Sequence, residues 1–428
     1  MISVYPTGTT IYDPDKCWNG FTILAGANVV DMHGELQKCW KNISPHGRIL
    51  PGGHVLGAKQ GSKTLAQFDW DGNTVWSFNG SEYEEELYAH HDFQREGSPV
   101  GYYAPGMEPQ QQGRTLILCS AAVDGYGLVA QRLWDDRIVE VDKDGAITWQ
   151  WCSVNHIDDI GLDESARNTL HRASTLPKDY DGLHSPMHEK DPYDWLHSNS
   201  ASYVGPNQWY DQGDERFHPD NIIWDSRDTN VIAVISRETG EFTWKTGPDY
   251  TRPECRSFGQ IIGQHHAHVI PRGLPGEGNI LIFDNGGMAG YGSPNPGSPI
   301  GEYNAVRPYS RVLEINPITM ELEWEYSART AGVGYHHHYF FYSPFVSSAQ
   351  RLPNGNTLIC EGDSLRVFEV TSDHELVWEY VIPPTMARGW SYRAYRLPYE
   401  WLPQLERPQE TAVNPDDVSS SRITRASV

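Results

Sequence analysis

The chain has 428 residues, 38% hydrophobic and 12% aromatic, with 33 Lys and Arg against 56 Asp and Glu and a formal net charge of −23. That length supports a large core. The charge would repel polyanions at long range, and no basic stripe offsets it, which argues against nucleic acid and acidic membrane surfaces as partners. No apolar run of about 18 residues occurs, and the N-terminus has no basic segment leading into an apolar one. The sequence as given therefore reads as cytoplasmic, although a chain trimmed of a periplasmic leader would look the same. Cys17, Cys39, Cys119, Cys152, Cys255 and Cys360 are isolated, with no CxxC pair, and are expected to be buried thiols.

From the N-terminus onward, a short strand six times ends in a tight acidic or glycine turn and re-emerges as a strand bearing tryptophan. The copies are VVDMHGELQKCW to Trp40, FDWDGNTVW to Trp76, VEVDKDGAITW to Trp149, ISRETGEFTW to Trp244, LEINPITMELEW to Trp324 and FEVTSDHELVW to Trp378. Two further strands precede each copy. In the first unit these are TTIYDP and GFTILAG, in the fifth HVIPRG and NILIFDN, and in the sixth SSAQRL and NTLICEG. The spacing predicts an all-β chain: a six-bladed β-propeller of four-stranded antiparallel blades. One domain is expected over residues 1–406, followed by a polar, aperiodic, flexible tail over 407–428.

In an up-and-down blade the connections alternate between two faces. The first-to-second and third-to-fourth turns are mostly short, as in LPGGH, LPNGN, KDG and ETG, and predict a plain face. The other face is expected to collect the long insertions Asn79 to Gly113, Cys152 to Trp195, Gly286 to Tyr309 and Ser327 to Tyr342. Each innermost strand should begin on that elaborated face, close to the axis. His46 takes this place in blade 2, His90 and His91 in blade 3, His197 in blade 4, and His265, His266 and His268 in blade 5. Blade 6 has Ser347 and Ser348, with His336, His337 and His338 in the loop before it.

A lone surface histidine implies little, but imidazoles aimed from several blades at one axis suit acid–base work, nucleophilic attack or metal ligation, because their pKa lies near neutrality. Arg311, at the start of a third strand, is placed on the same face. A guanidinium there suits sulfate, phosphate or carboxylate, and a salt bridge to a loop carboxylate is the plainer reading. His91, His266, Tyr102 in GSPVGYYAPG, and Ser347 are candidate substrate contacts.

The segments DWLHSNS, QHHAHV, LIFDNGG and YSRVLEI, with PTGTTIY, WNGFT, FYSP and AYRLPYEW, resemble the arylsulfate sulfotransferase superfamily over nearly the whole chain up to the tail. The resemblance implies a propeller enzyme that moves a sulfuryl group from one phenol to another through a sulfated histidine, with no nucleotide donor and no required cofactor. It makes His197 and His265 the imidazoles that hold the sulfuryl oxygens and Arg311 the arginine that neutralises them. The family's nucleophilic histidine belongs to the last blade. Here that blade reads FYSPFVSSAQRLPNG, and the neighbouring imidazoles are His336, His337 and His338. A different reading of the same residues is a metal-dependent lyase, hydrolase or oxygenase in which His91, His197, His266 and His337 ligate zinc, copper, iron or nickel. A third is a propeller that only scaffolds partners. The expected partner is a small aromatic or anionic molecule, and the sequence leaves homo-oligomerisation open.

Overall fold

The computed structural model describes residues 7–41, 43–59, 61–62, 64–175, 192–387 and 389–414. Its main sheets are the six antiparallel blades that the repeat predicts. Blades 2 to 5 use consecutive strands, with innermost strands Ile43–Leu50, Tyr88–Arg95, Ser198–Tyr203 and His265–Val269 and outermost strands Thr74–Asn79, Ile147–Cys152, Phe242–Thr246 and Leu322–Tyr326. The interior strands lie between neighbouring blades. Val231–Ile235, the run VIAVI, is therefore buried at all of its positions.

The seam of the ring differs from the expectation. Gly8–Tyr12, read above as the first strand of blade 1, instead pairs antiparallel with Leu376–Val381 as an outer, fifth strand of blade 6. Blade 1 takes its innermost strand from the other end of the chain, where Tyr395–Leu397 pairs with Phe21–Leu24. A propeller has one place where first and last blades meet, and pairing both chain ends across it removes two open strand edges. Arg396 locks this closure from a fully buried position. Its Nε donates to Thr22 Oγ1 at 2.7 Å, its Nη1 reaches Glu369 at 3.2 Å, and its guanidinium lies 4.5 Å above the Trp378 ring. Beyond this strand the chain runs back so that Val413 bridges Tyr12. The rest of the expected tail, 415–428, lies outside the described residues.

The tryptophans of the repeat have a mechanical role. The indole N–H of Trp40 donates to Asp69 O, Trp76 to Lys143 O, Trp149 to Arg237 O, Trp244 to Pro317 O, Trp324 to Ser372 O, and Trp378 to Met32 O, all at 2.8–3.0 Å. Each acceptor sits in the third-to-fourth turn of the next blade. Every copy of the motif thus carries both halves of a clasp, a donor for the following blade and an acceptor for the preceding one, and the sixth clasp closes the ring onto blade 1.

Most of the long connections lie on the expected face: 153–175 and 192–197 with the helices Ile157–Ile160 and Glu164–Ala173, 285–310 with the hairpin Ala289–Tyr291 and Glu302–Ala305, and 327–347. One expectation is corrected. The insertion Asn79 to Gly113 divides, because the inner strand Tyr88–Arg95 runs through it. Residues 80–87 stay on the elaborated face and 96–114 emerge on the opposite one, beside 204–221 of blade 4. The second face is therefore not plain. Among the cysteines, Cys17, Cys119, Cys255 and Cys360 are buried as expected, while Cys152 is half-buried and Cys39 is exposed. No helix among the described residues is long and apolar enough to cross a membrane.

Candidate active site

The inner strands open irregularly, and the irregularity recurs. His91, His197 and His266 have φ of 48°, 48° and 54°, and in blade 6 Val346 and Ser347 have φ of 55° and 90°. A non-glycine residue in this region costs on the order of 1 kcal/mol or more, so recurrence in four blades marks a built feature. The ladders slip at the same level. Ala89 and Phe93 face Cys119 and Ile117, which gives the blade 3 strand two extra residues, while His265 and His268 face Phe283 and Leu281, one extra in blade 5. Blade 2 slips likewise between Ile43 and Gly47, and blade 4 between Ser198 and Ser200. Bulges re-aim side chains. Here His46, His90, His91 and His266 occupy them.

The result is a cluster of rings gathered on Tyr392, which precedes the closing strand of blade 1. Its ring is 5.0 Å from that of His46, 5.4 Å from His91 and 6.3 Å from His265, and the His91 and His197 rings meet edge to face at 5.1 Å. Two carboxylate–imidazole arms enter this cluster. His197 Nδ1 donates to Asp194 at 2.7 Å, which leaves Nε2 as the lone-pair nitrogen of the neutral ring. On the other side the Nδ1 atoms of His90 and His91 are hydrogen-bonded at 2.7 Å, and His90 Nε2 lies 3.6 Å from Asp136.

Deeper along the axis is a second group. The His266 and His268 rings are 4.4 Å apart, and His266 Nε2 is 3.3 Å from Tyr395 Oη. His268 donates from Nδ1 to the His266 carbonyl and accepts at Nε2 from the Tyr102 hydroxyl at 2.8 Å. Arg393 connects the two groups: its Nη2 donates to Asn199 O at 2.7 Å, and its Nη1 lies 3.1 Å from Asp92, which also binds Arg48 at 2.5 Å. Two buried guanidiniums thus share one carboxylate, with the buried Asp225 also within reach of the Arg393 charge.

The electrostatics sort the imidazoles. Burial, reinforced by nearby cations among Arg48, Arg227 and Arg393, holds His46, His91, His265 and His266 well below the ordinary histidine value and His268 down at about 4. His197 goes the other way. Burial opposes its charged form, but Asp194, aided by Asp228, outweighs that and raises its pKa. Among these buried rings it is the one whose environment stabilises added positive charge. His46 Nδ1 and Nε2, His266 Nδ1 and Arg393 Nε are buried without a partner among the described residues, as in a site that receives a polar guest.

Of the residues picked out from the sequence, His91, His197, His265 and His266 lie in this assembly, with His91 against His197. His265 has both ring nitrogens engaged, Nδ1 with Asn285 Oδ1 at 2.8 Å and Nε2 with the Val346 N–H at 3.2 Å. Ser347 is fully buried and its hydroxyl is bonded to Ser343. Tyr102 is buried at the far end of the axis, on the loop that emerges on the second face. Arg311 is not brought to the rings. Its Nε and Nη2 bind Asp284 at 2.9 and 2.6 Å, and its remaining donors go to Phe258 O and Gln260 O. This is the plainer salt-bridge reading, with a strand-end carboxylate.

The loop imidazoles also stand apart. His336, His337 and His338 are on the turn Tyr335–Phe340, with His337 exposed and stacked on Phe340. Among the described residues no compact group of metal-donor atoms contains His91, His197, His266 and His337. Tyr392, Arg393 and Tyr395 are absent from the sequence-based list. Tyr395 stands in AYRLPYEW, on the strand that closes blade 1, and Tyr392 and Arg393 just before it; recognising that closure would have found them.

These observations define a propeller with buried histidines and arginines clustered at its inner strands. The chain belongs to the arylsulfotransferase (ASST) family, whose model matches residues 27–381. No curated protein matches the chain. Among solved structures it is similar to a protein of unknown function from Bacteroides caccae, with 10% identity, a TM-score of 0.45, and coverage of 89% of this chain and 99% of that one. It is also similar to virginiamycin B lyase from Staphylococcus aureus, with 10% identity, a TM-score of 0.33, and coverage of 88% and 87%. At these scores neither likeness carries an argument about chemistry.

Proposed function

We propose that this protein transfers a sulfuryl group between small phenols, with His197 as the acceptor of the group. The observation that carries the reading is the Asp194–His197 pair, set edge to face against His91. A sulfated imidazole bears positive charge on its ring, and His197 is the buried ring whose carboxylate partner compensates it.

In the first half-reaction the Nε2 lone pair of His197 attacks sulfur, the bond from sulfur to the aryl oxygen breaks, and the phenolate leaves and takes a proton from water. The Nδ1 proton stays on the ring, hydrogen-bonded to Asp194. Arg393 and Arg227, whose charges are felt by the imidazoles around the pocket, balance the sulfuryl oxygens. In the second half-reaction the acceptor phenol gives its proton to neutral His91, its oxygen attacks sulfur, and the N–S bond breaks to restore His197. His91 then passes the proton to His90 or solvent.

Incubation with 4-nitrophenyl sulfate, quenched before the acceptor phenol is added, should leave an acid-labile sulfuryl mass increment on the peptide containing His197. An increment on another residue, or none together with no transfer to any of a panel of phenols, rules this reading out.

A further inference from the structure

The second face, expected to be plain, holds a cavity of about 620 Å³ between the connections 96–114 of blade 3 and 204–221 of blade 4. This is the size of a small-molecule site. Five prolines, Pro99, Pro105, Pro206, Pro219 and Pro271, wall it together with Tyr203. Backbone bonds fix those walls: Gln110 N donates to Glu96 O at 2.8 Å, Tyr203 N to Pro99 O at 3.1 Å and Gly205 N to Pro219 O at 2.9 Å. The shape is therefore present before any ligand arrives, which lowers the entropy cost of binding. Tyr102 lines the cavity while its hydroxyl is committed to His268, so the cavity ends one side chain from the axial histidines and does not open into them.

The rim charges restrict the occupant. Arg114 lies 3.4 Å from Glu96 and 3.5 Å from Glu140, and Arg272 is paired with Glu277 and Asp211. Glu96, Glu108 and Asp220 also border the space, so an anion meets no unpaired arginine there. Proline rings and a tyrosine face offer flat apolar walls on which an aromatic ring packs.

We infer that this cavity is a second binding site, for an uncharged flat aromatic ring compound, separate from the axial pocket. The inference does not depend on sulfuryl transfer. Titration with 2-naphthol, followed calorimetrically, tests it. Saturable binding should persist in His197→Ala and weaken at least tenfold in Pro206→Trp and in Pro219→Trp, whose indoles would fill the space from exposed or half-buried positions, with melting temperature and sulfuryl transfer as in the parent protein. Two variants guard against one that misfolds. Absence of binding to the parent protein overturns the inference. So does binding that both cavity variants leave intact, and so does binding that His197→Ala alone removes, which would place the ring in the axial pocket.

Discussion

At the scale of single residues, the chemistry turns on how one buried imidazole differs from its neighbours. His197 has a raised pKa because Asp194 outweighs burial, and the proposed attack needs its neutral form. The rate should therefore rise with pH through that raised value. Asp194→Asn should move this acidic limb to lower pH and, by loosening the tautomer, reduce kcat roughly 10²-fold or more. A pH–rate profile of the two proteins checks both effects, and an unmoved limb would detach Asp194 from the titration. His197→Ala should lose transfer by at least about 10³-fold with its fold retained by circular dichroism, since an absent nucleophile cannot be replaced by its neighbours. Arg311→Lys, by contrast, should act on stability and leave KM for aryl sulfate unchanged, because its guanidinium is occupied by Asp284. Arg393→Lys should raise KM or lower kcat, because a point charge cannot replace the planar fork that reaches Asp92 and Asn199 together.

At the scale of elements, the tryptophan clasps and the double seam hold the blades in a ring. Trp378 is fully buried and donates to Met32 O across the seam, so Trp378→Phe removes a buried bond and leaves part of the indole's volume unfilled, while the carbonyl keeps its bond from Thr9 Oγ1. A loss of about 1–3 kcal/mol is expected. Trp76→Phe, at a half-buried position where water can replace the lost donor, should cost less than about 1 kcal/mol. Urea denaturation of both variants gives the comparison, and equal losses would refute the clasp as a seam device. Ending the chain before Tyr392 deletes the inner strand of blade 1 together with Arg396. It should abolish cooperative unfolding, because Phe21–Leu24 would then present an unpaired edge to the axis.

At the scale of the whole molecule, several neutral buried histidines make the fold sensitive to acid. His46, His91, His265, His266 and His268 have folded pKa values depressed below the unfolded value near 6.5, so their contribution to stability is present above that pH and is lost as pH falls through it toward the folded values. His268 alone, depressed to about 4, accounts for about 2 kcal/mol by pH 5. His197 acts in the opposite sense, stabilising below 6.5 and losing that contribution as pH rises through its raised value, but it is one ring against five. Melting temperature should therefore drop steeply between pH 7 and pH 5, and a flat profile would show that these rings are hydrated or charged in the native state.

What the sequence determined by itself is the periodic part. The six copies ending in Trp40, Trp76, Trp149, Trp244, Trp324 and Trp378 specify a six-bladed propeller, because strand alternation, turn residues and the clasping indole are local and repeat with the chain. The inner-strand imidazoles His91, His197, His265 and His266 were legible for the same reason, since they begin strands whose direction the repeat sets. Tertiary structure alone decided what breaks the period. The two chain ends meet across hundreds of residues and bring Tyr392 and Arg393 against the inner-strand residues His46, His91 and Asn199, an insertion split by a strand sends Tyr102 to the opposite face, and a buried aspartate from a neighbouring strand draws Arg311 away from the axis. These are long-range pairings, chosen by which edges and charges remain unsatisfied once the blades have formed, and no local pattern records them.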